Sequence, residues 1–364
     1  MLYSPSPLRT VVSILIYVLI SHTVLAQDYL LGGSFQYGYV MAHRKTMTHL
    51  VTGHSRGFEI DLAAATSGSQ AWQRMYAGPQ PGIKFIHYDL GNPEFLGTAT
   101  GAAGYIYLPF FRHDKFTLGG VLGLGVAYLS KRFDTGDLHK NVAIGTHINE
   151  ILHGQIESQV ALSNEFSLKL AFGLTHFSNG AFHIPNLGIN VPNLSVGLYH
   201  FSKTNRFHAP RDTSFEKRKQ IEYNIAAAGG LKEVVRIHGK RYPTYSLTAA
   251  AMLPCKFKSS FGMAVNLFYN TSLNYFMTDS AGNKPAAADI TRIGIGLNYE
   301  LHISKLIVIL EPGIYVLSHY SGDGLYYQRI GFQYRIGKHW LVQNILKTHF
   351  AKADNIELGA GYRW

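Results

Sequence analysis

An all-β fold is predicted by two features of the sequence. Side chains alternate apolar and polar with a period of two over segments of about ten residues, and the connections between segments alternate short and long. Beyond the N-terminal leader, no run of about 18 apolar residues is present to form a membrane helix. The fold class that follows is an antiparallel transmembrane outer-membrane β-barrel of about 14–16 strands.

The leader comes first in the chain. Arg9 precedes an apolar run from Val11 to Ile20, and Val24-Leu25-Ala26 then precedes Gln27. A charged start, a short apolar core and a small residue at the cut describe a secretory signal peptide over residues 1–26. The run is too short to span a bilayer as a helix. Residues 27–364 are then expected to form a single barrel domain. A lone cysteine, Cys255, excludes an intrachain disulfide framework. The net charge of +11 is scattered along an exported chain, which argues against nucleic acid as a partner. Attraction to anionic lipid phosphates and simple solvation of basic loops both remain open.

Strands are expected near 33–43, 55–66, 81–91, 97–110, 116–131, 150–163, 166–177 and 190–202. Eight more are expected near 219–230, 242–255, 259–270, 290–302, 305–318, 325–336, 339–350 and 355–364. In the twelfth, Ile293, Ile295, Leu297, Tyr299 and Leu301 oppose Arg292, Gly294, Gly296, Asn298 and Glu300. In the last, Ile356, Leu358, Ala360, Tyr362 and Trp364 oppose Asn355, Glu357, Gly359, Gly361 and Arg363. A soluble sandwich shows the same alternation inverted, so strand length matters: about 9–11 residues suit a tilted membrane strand. The terminal Trp364 is similar to the aromatic C-terminal signature of bacterial outer-membrane barrels. Tight connections near 112–115, 163–165, 255–258, 302–304 and 337–338 belong on the periplasmic side, and long ones near 133–149, 231–242 and 272–289 on the outer side. One stretch fits badly: 203–219 is long and basic, yet falls on the periplasmic side.

The segment His176-Phe177-Ser178-Asn179-Gly180, with Asn190 fourteen residues after the histidine, carries the chemistry. Phe166, Leu168, Leu170, Phe172 and Leu174 form the apolar face of the seventh strand, and His176 and Ser178 continue that parity. Asn190 shares the apolar parity of the next strand. All three side chains are thus expected at the end of the lipid-facing surface, on adjacent strands close enough to touch. A serine hydroxyl attacks an ester only if an imidazole takes its proton, and the imidazole needs a third group to hold its tautomer. Ser178, His176 and Asn190 are the catalytic candidates for those roles. Asn179, Asn186 and backbone N–H groups near Gly180 are candidate oxyanion donors, with the choice among them open. A bare H-x-S is weak evidence; its place on a lipid-facing rim strengthens it, because a polar pair there needs a partner or a task.

The run His176 to Asn190, H-F-S-N-G-A-F-H-I-P-N-L-G-I-N, resembles the active-site segment of PagL-type lipid A 3-O-deacylases, outer-membrane esterases whose relatives include acyloxyacyl hydrolases. The resemblance implies His176 as base and Ser178 as nucleophile, with Asn179 or Asn186 at the oxyanion. It also implies a glutamate as third member, where Asn190 stands here. Outer-membrane phospholipase A also carries H-x-S-N-G with an asparagine at that spacing, but follows the glycine with arginine where Ala181 stands. That departure leaves the phospholipase's calcium site and calcium-dependent dimerisation without support. Three functions compete: a lipid A deacylase, a phospholipase A, and a porin-like barrel without activity.

Other residues carry blander readings. His183 and His200 are expected near the site as interfacial or loop histidines, and Glu157 and Glu300 as lumen groups pairing with residues such as Arg292. Arg236, Lys240 and Arg241 lie in an outer loop where they meet either lipid phosphates or water. No metal-ligand spacing, phosphate loop or nucleotide fingerprint occurs, so no cofactor and no metal is expected.

Overall fold

A computed structural model describes residues 28–202, 220–235, 239–256, 258–350 and 352–364, and the expected signal peptide lies outside them. Eight strands come first: β1 (Tyr29–Tyr39), β2 (His54–Ala64), β3 (Gln80–Asp89), β4 (Thr98–His113), β5 (Phe116–Leu129), β6 (Ile148–Ala161), β7 (Phe166–Ser178) and β8 (Ile189–Phe201). Eight follow: β9 (Glu222–Glu233), β10 (Arg241–Lys256), β11 (Ser259–Asn270), β12 (Thr291–Ile303), β13 (Leu306–Leu317), β14 (Tyr326–Ile336), β15 (Trp340–His349) and β16 (Lys352–Arg363). β1 begins and ends four residues earlier than expected, because Met41 to His43 already belong to the outer loop.

The sheet closes twice. β1 pairs with β8 and β9 with β16, giving two eight-stranded antiparallel barrels where one barrel was expected. Alternation reports which face a residue takes and is silent on which strands close, so both arrangements fit the same pattern. The basic stretch 203–219 joins the two barrels; it lies outside the described residues.

Lumen composition explains the smaller closure. About eight strands leave an interior just wide enough for side chains to fill. In the first barrel Lys169 of β7 reaches across to Glu59 of β2 at 2.7 Å, and Lys84 of β3 meets Glu59 at 3.3 Å. Asp61, Glu157 and His153 complete this buried cluster. In the second barrel Arg329 bridges Glu311 and Glu357, and Arg363 binds Glu300. Such contacts across the lumen are out of reach in a sixteen-stranded pore. Outward positions are largely apolar: Phe35, Phe58, Phe172, Leu194, Met263 and Leu297 are all exposed, as a membrane-facing surface requires.

The two barrels stand side by side with like ends together. At the short-turn end, Tyr76 donates to His302 O at 2.6 Å, and Ile106 and Ile303 pack around it. At the long-loop end, Glu233 at the tip of β9 receives the Ile184 N–H at 2.7 Å and donates its own N–H to Ala181 O. Between these seams the outer faces of β5 to β8 confront those of β13 to β16.

Removing one partner from a buried ion pair strands the other, at a cost of about 3–5 kcal/mol. Lys169→Met should therefore lower unfolding stability of the first barrel in urea by about 3 kcal/mol. Adding Glu59→Gln should recover part of that loss, and an undiminished loss in the double variant contradicts the charge argument.

Candidate active site

The β7–β8 hairpin places the motif. Its register sets His176 directly opposite Asn190 and Phe177 opposite Ile189. Phe177 and Ile189 turn inward, where Tyr88, Ile151, Met47 and Ile144 from neighbouring strands and folded-over loops plug the barrel mouth. Because side chains alternate, burying that pair drives His176 and Asn190 outward. Fourteen residues of separation are what a ten-residue loop between two such partners requires.

Hydrogen bonds then fix one tautomer. Asn190 Oδ1 lies 2.6 Å from His176 Nδ1, and an amide oxygen only accepts, so Nδ1 carries the proton. Nε2 is left with its lone pair, the form a general base needs. The chain continues: Asn190 Nδ2 donates to His43 Nδ1 at 3.1 Å, and His43 Nε2 donates to Leu187 O at 3.0 Å. Every donor meets an acceptor, which also fixes the orientation of the Asn190 amide. His43 was not foreseen. It sits on the β1–β2 loop beside Asn190 only because β1 closes the barrel against β8, where Met41 N–H also donates to Asn190 O.

Ser178 is buried at the end of β7 on the parity of His176. Its Oγ accepts from Asn186 Nδ2 at 3.0 Å and from the Gly180 N–H at 3.1 Å. In this resting arrangement those two contacts engage the hydroxyl, and it makes no hydrogen bond to the imidazole. The Asn186 amide is aimed by the Asn179 N–H, which donates to Asn186 Oδ1 at 3.1 Å. The Asn179 side chain is occupied elsewhere, donating to Thr146 Oγ1 and His183 O. Gly188, at φ +81°, backs the imidazole so closely that a Cβ would stand 2.6 Å from His176 Cε1.

The second barrel touches this machinery at several points. Ile356 of β16 packs where a Cβ on Gly180 would lie, 2.3 Å from its Cγ1. The Glu233 carboxylate also meets His183 Nδ1 at 2.5 Å. Glu150, opposite Ser178 in the β6–β7 register, accepts from Asn344 of β15 at 2.7 Å. Between these contacts and the short-turn seam, cavities separate the barrels. One of about 360 Å³ includes His176 and Asn190 in its wall, and one of about 1300 Å³ includes Asn179, Phe182 and His183. The outward face at the site is therefore roofed by the second barrel rather than open to bulk lipid.

Other expected residues fall elsewhere. His200 packs on Phe166 at the opposite end of β8, because an antiparallel strand carries it away from the site. Glu157 lies in the lumen cluster with Lys169; Glu300 pairs with Arg363, while Arg292 takes Asp323. Lys240 lies over Tyr242, Arg241 stacks on Phe182 at 4.2 Å, and Arg236 lies outside the described residues.

Comparison with known proteins divides along the same line as the barrels. The family model for lipid A 3-O-deacylase (PagL) matches residues 57–199, and that for the acyloxyacyl hydrolase C-terminal domain matches residues 221–364. No curated protein matches the chain. Among solved structures, two mutant forms of the Rhodopseudomonas blastica porin are each 13% identical over 92% of this chain and 99% of theirs. Their TM-score of 0.20 is too low to equate the folds. The two family matches follow one another across both barrels, so the chain belongs to the PagL-type lipid A 3-O-deacylase and acyloxyacyl hydrolase family and is a carboxylic ester hydrolase of the outer membrane.

Proposed function

We propose that this protein removes an ester-linked acyl chain from lipid A by a Ser178–His176–Asn190 mechanism. The observation that carries the reading is the Asn190 Oδ1 to His176 Nδ1 contact at 2.6 Å, which leaves Nε2 free to take a proton beside the Ser178 strand end. Rotation of Ser178 between staggered χ1 wells turns its hydroxyl from its resting donors towards Nε2. As Oγ attacks the ester carbonyl, its proton passes to Nε2 and the C–O π pair moves onto the carbonyl oxygen. Asn186 Nδ2 and the Gly180 N–H, vacated by the hydroxyl, are then placed to donate to that oxyanion. Collapse breaks the bond to the sugar oxygen, which leaves with the proton from Nε2. Water then attacks the acyl-serine with His176 again as base, and the fatty acid is released.

Asn190 is the one feature that favours a second reading, hydrolysis of phospholipids, since an asparagine in that place resembles the phospholipase triad. Mass spectrometry of both lipid pools from expressing cells separates the two. Loss of one acyl chain from lipid A with wild type, abolished by at least about 10³-fold in Ser178→Ala, is the expected result. Lysophospholipid accumulation in its place favours the second reading, and identical pools in the two strains sink the esterase mechanism.

Gly188→Ala tests the imidazole's seat. An added Cβ at 2.6 Å from Cε1 must displace the ring, so kcat should fall by about 10² while the barrels still run folded on heat-modifiable gels. A variant with wild-type kcat would show that the seat is not needed.

A further inference from the structure

Beside the candidate site the cleft between the barrels has two compartments separated at one contact, and a third cavity of about 660 Å³ lies towards the short-turn end. The Glu150–Asn344 hydrogen bond, opposite Ser178 in register, borders both cavities, since both residues line each of them. The smaller holds His176 and Asn190 in its wall, meets Glu150 and Asn344 at its border, and is otherwise lined mainly by apolar side chains such as Leu152 and Leu174 from the first barrel and Ile330, Phe332 and Leu346 from the second. The larger has Arg132 and Arg241 in its lining as well as Ile356 and Leu358. Its volume of about 1300 Å³ exceeds the roughly 300–1,000 Å³ that suits a drug-sized ligand. A lipid with a bulky anionic head and several chains matches such a space, and a single apolar chain matches the smaller one.

We infer that the acyl chain to be released lies in the smaller cavity against β14 and β15, with the phosphorylated body of the lipid in the larger, so that the second barrel is the wall that measures the scissile chain. The inference rests on the assignment of Ser178 and His176 to ester cleavage. Three observations converge on it. The base itself lines the apolar compartment, the cationic groups line the other, and the residues between them neighbour the nucleophile. The outward face of β7 alone offers half a groove; Phe332 and Leu346 supply the opposing side. Their half-buried state contrasts with the exposed outward residues of β11, such as Leu267.

Hydrolysis of a series of acyl esters by the full-length protein tests the assignment. Leu346→Trp narrows the compartment and should lower the palmitoyl-to-octanoyl ratio of kcat/KM by about tenfold or more, whereas Phe332→Ala should raise it. Leu267→Trp, remote on β11, should leave the ratio unchanged. An unaltered ratio in both cleft variants, with hydrolysis still dependent on Ser178, overturns the inference and spares the esterase mechanism. A second measurement needs no turnover. Photoreactive palmitate offered to the Ser178→Ala protein in nanodiscs should label β14 and β15 preferentially, and Leu346→Trp should abolish that preference. Labelling spread evenly over the outward faces, β11 included, would mean bulk lipid contact only and would overturn it. Wild type and Ser178→Ala that hydrolyse the esters equally would overturn the mechanism, while the labelling pattern still decides who occupies the cleft.

Discussion

Side chains fill the interiors of both eight-stranded barrels and leave no room there for a lipid substrate, and this constraint orders the rest of the molecule. The lumen is filled by side chains, many of them polar or charged and some apolar at the mouths, while the outward ones meet lipid. Buried charges are tolerable only when paired, hence the Lys169–Glu59 and Arg329–Glu357 networks. Chemistry is thereby excluded from the interior and displaced to the outer surface. The proposed catalytic pair, on that surface, meets lipid by position, before any recognition is added.

Placing reactive groups on a lipid-facing surface raises a second problem, since exposed polar side chains in an apolar medium cost free energy unless partnered. The structure answers in two ways. Hydrogen bonding is closed upon itself, from His176 through Asn190 and His43 to a backbone carbonyl. The second barrel then shelters the same face, touching it through Gly180, Glu150 and the Glu233 clasp. Contact at both ends with voids between describes two bodies held apart by their rims. A seam closed along its whole length would give no such clefts.

How much of this was legible in the sequence follows from the range of each interaction. All sixteen strands and the side of each tight turn can be read from alternation and loop length, which are local. The outward parity of His176 and its facing of Asn190 can be read too, because a hairpin register depends only on loop length. Closure into two barrels is not legible, since β1 meets β8 across more than one hundred and fifty residues and no periodicity encodes that meeting. His43, Ile356 and Asn344 reach the site through such distant pairings and were invisible for the same reason. The awkward basic stretch between β8 and β9 was the one sign of a boundary, and it reads as such only once closure is known.

The amide at position 190 also becomes intelligible from its surroundings. A carboxylate there would stabilise an imidazolium better, but it would have to be desolvated between apolar barrel faces without a cation beside it, because its neighbours are two histidines. An amide offers an oxygen to His176 and a hydrogen to His43 at once, fixing both rings while adding no charge to the cleft. A carboxylate can only accept, so one histidine would have to change tautomer or protonation. In the proposed mechanism, electrostatic help in the transition state is given up in exchange for a resting site that is already ordered. In a half-buried site flanked by apolar barrel faces, where an unpaired charge is costly, that exchange favours the neutral group.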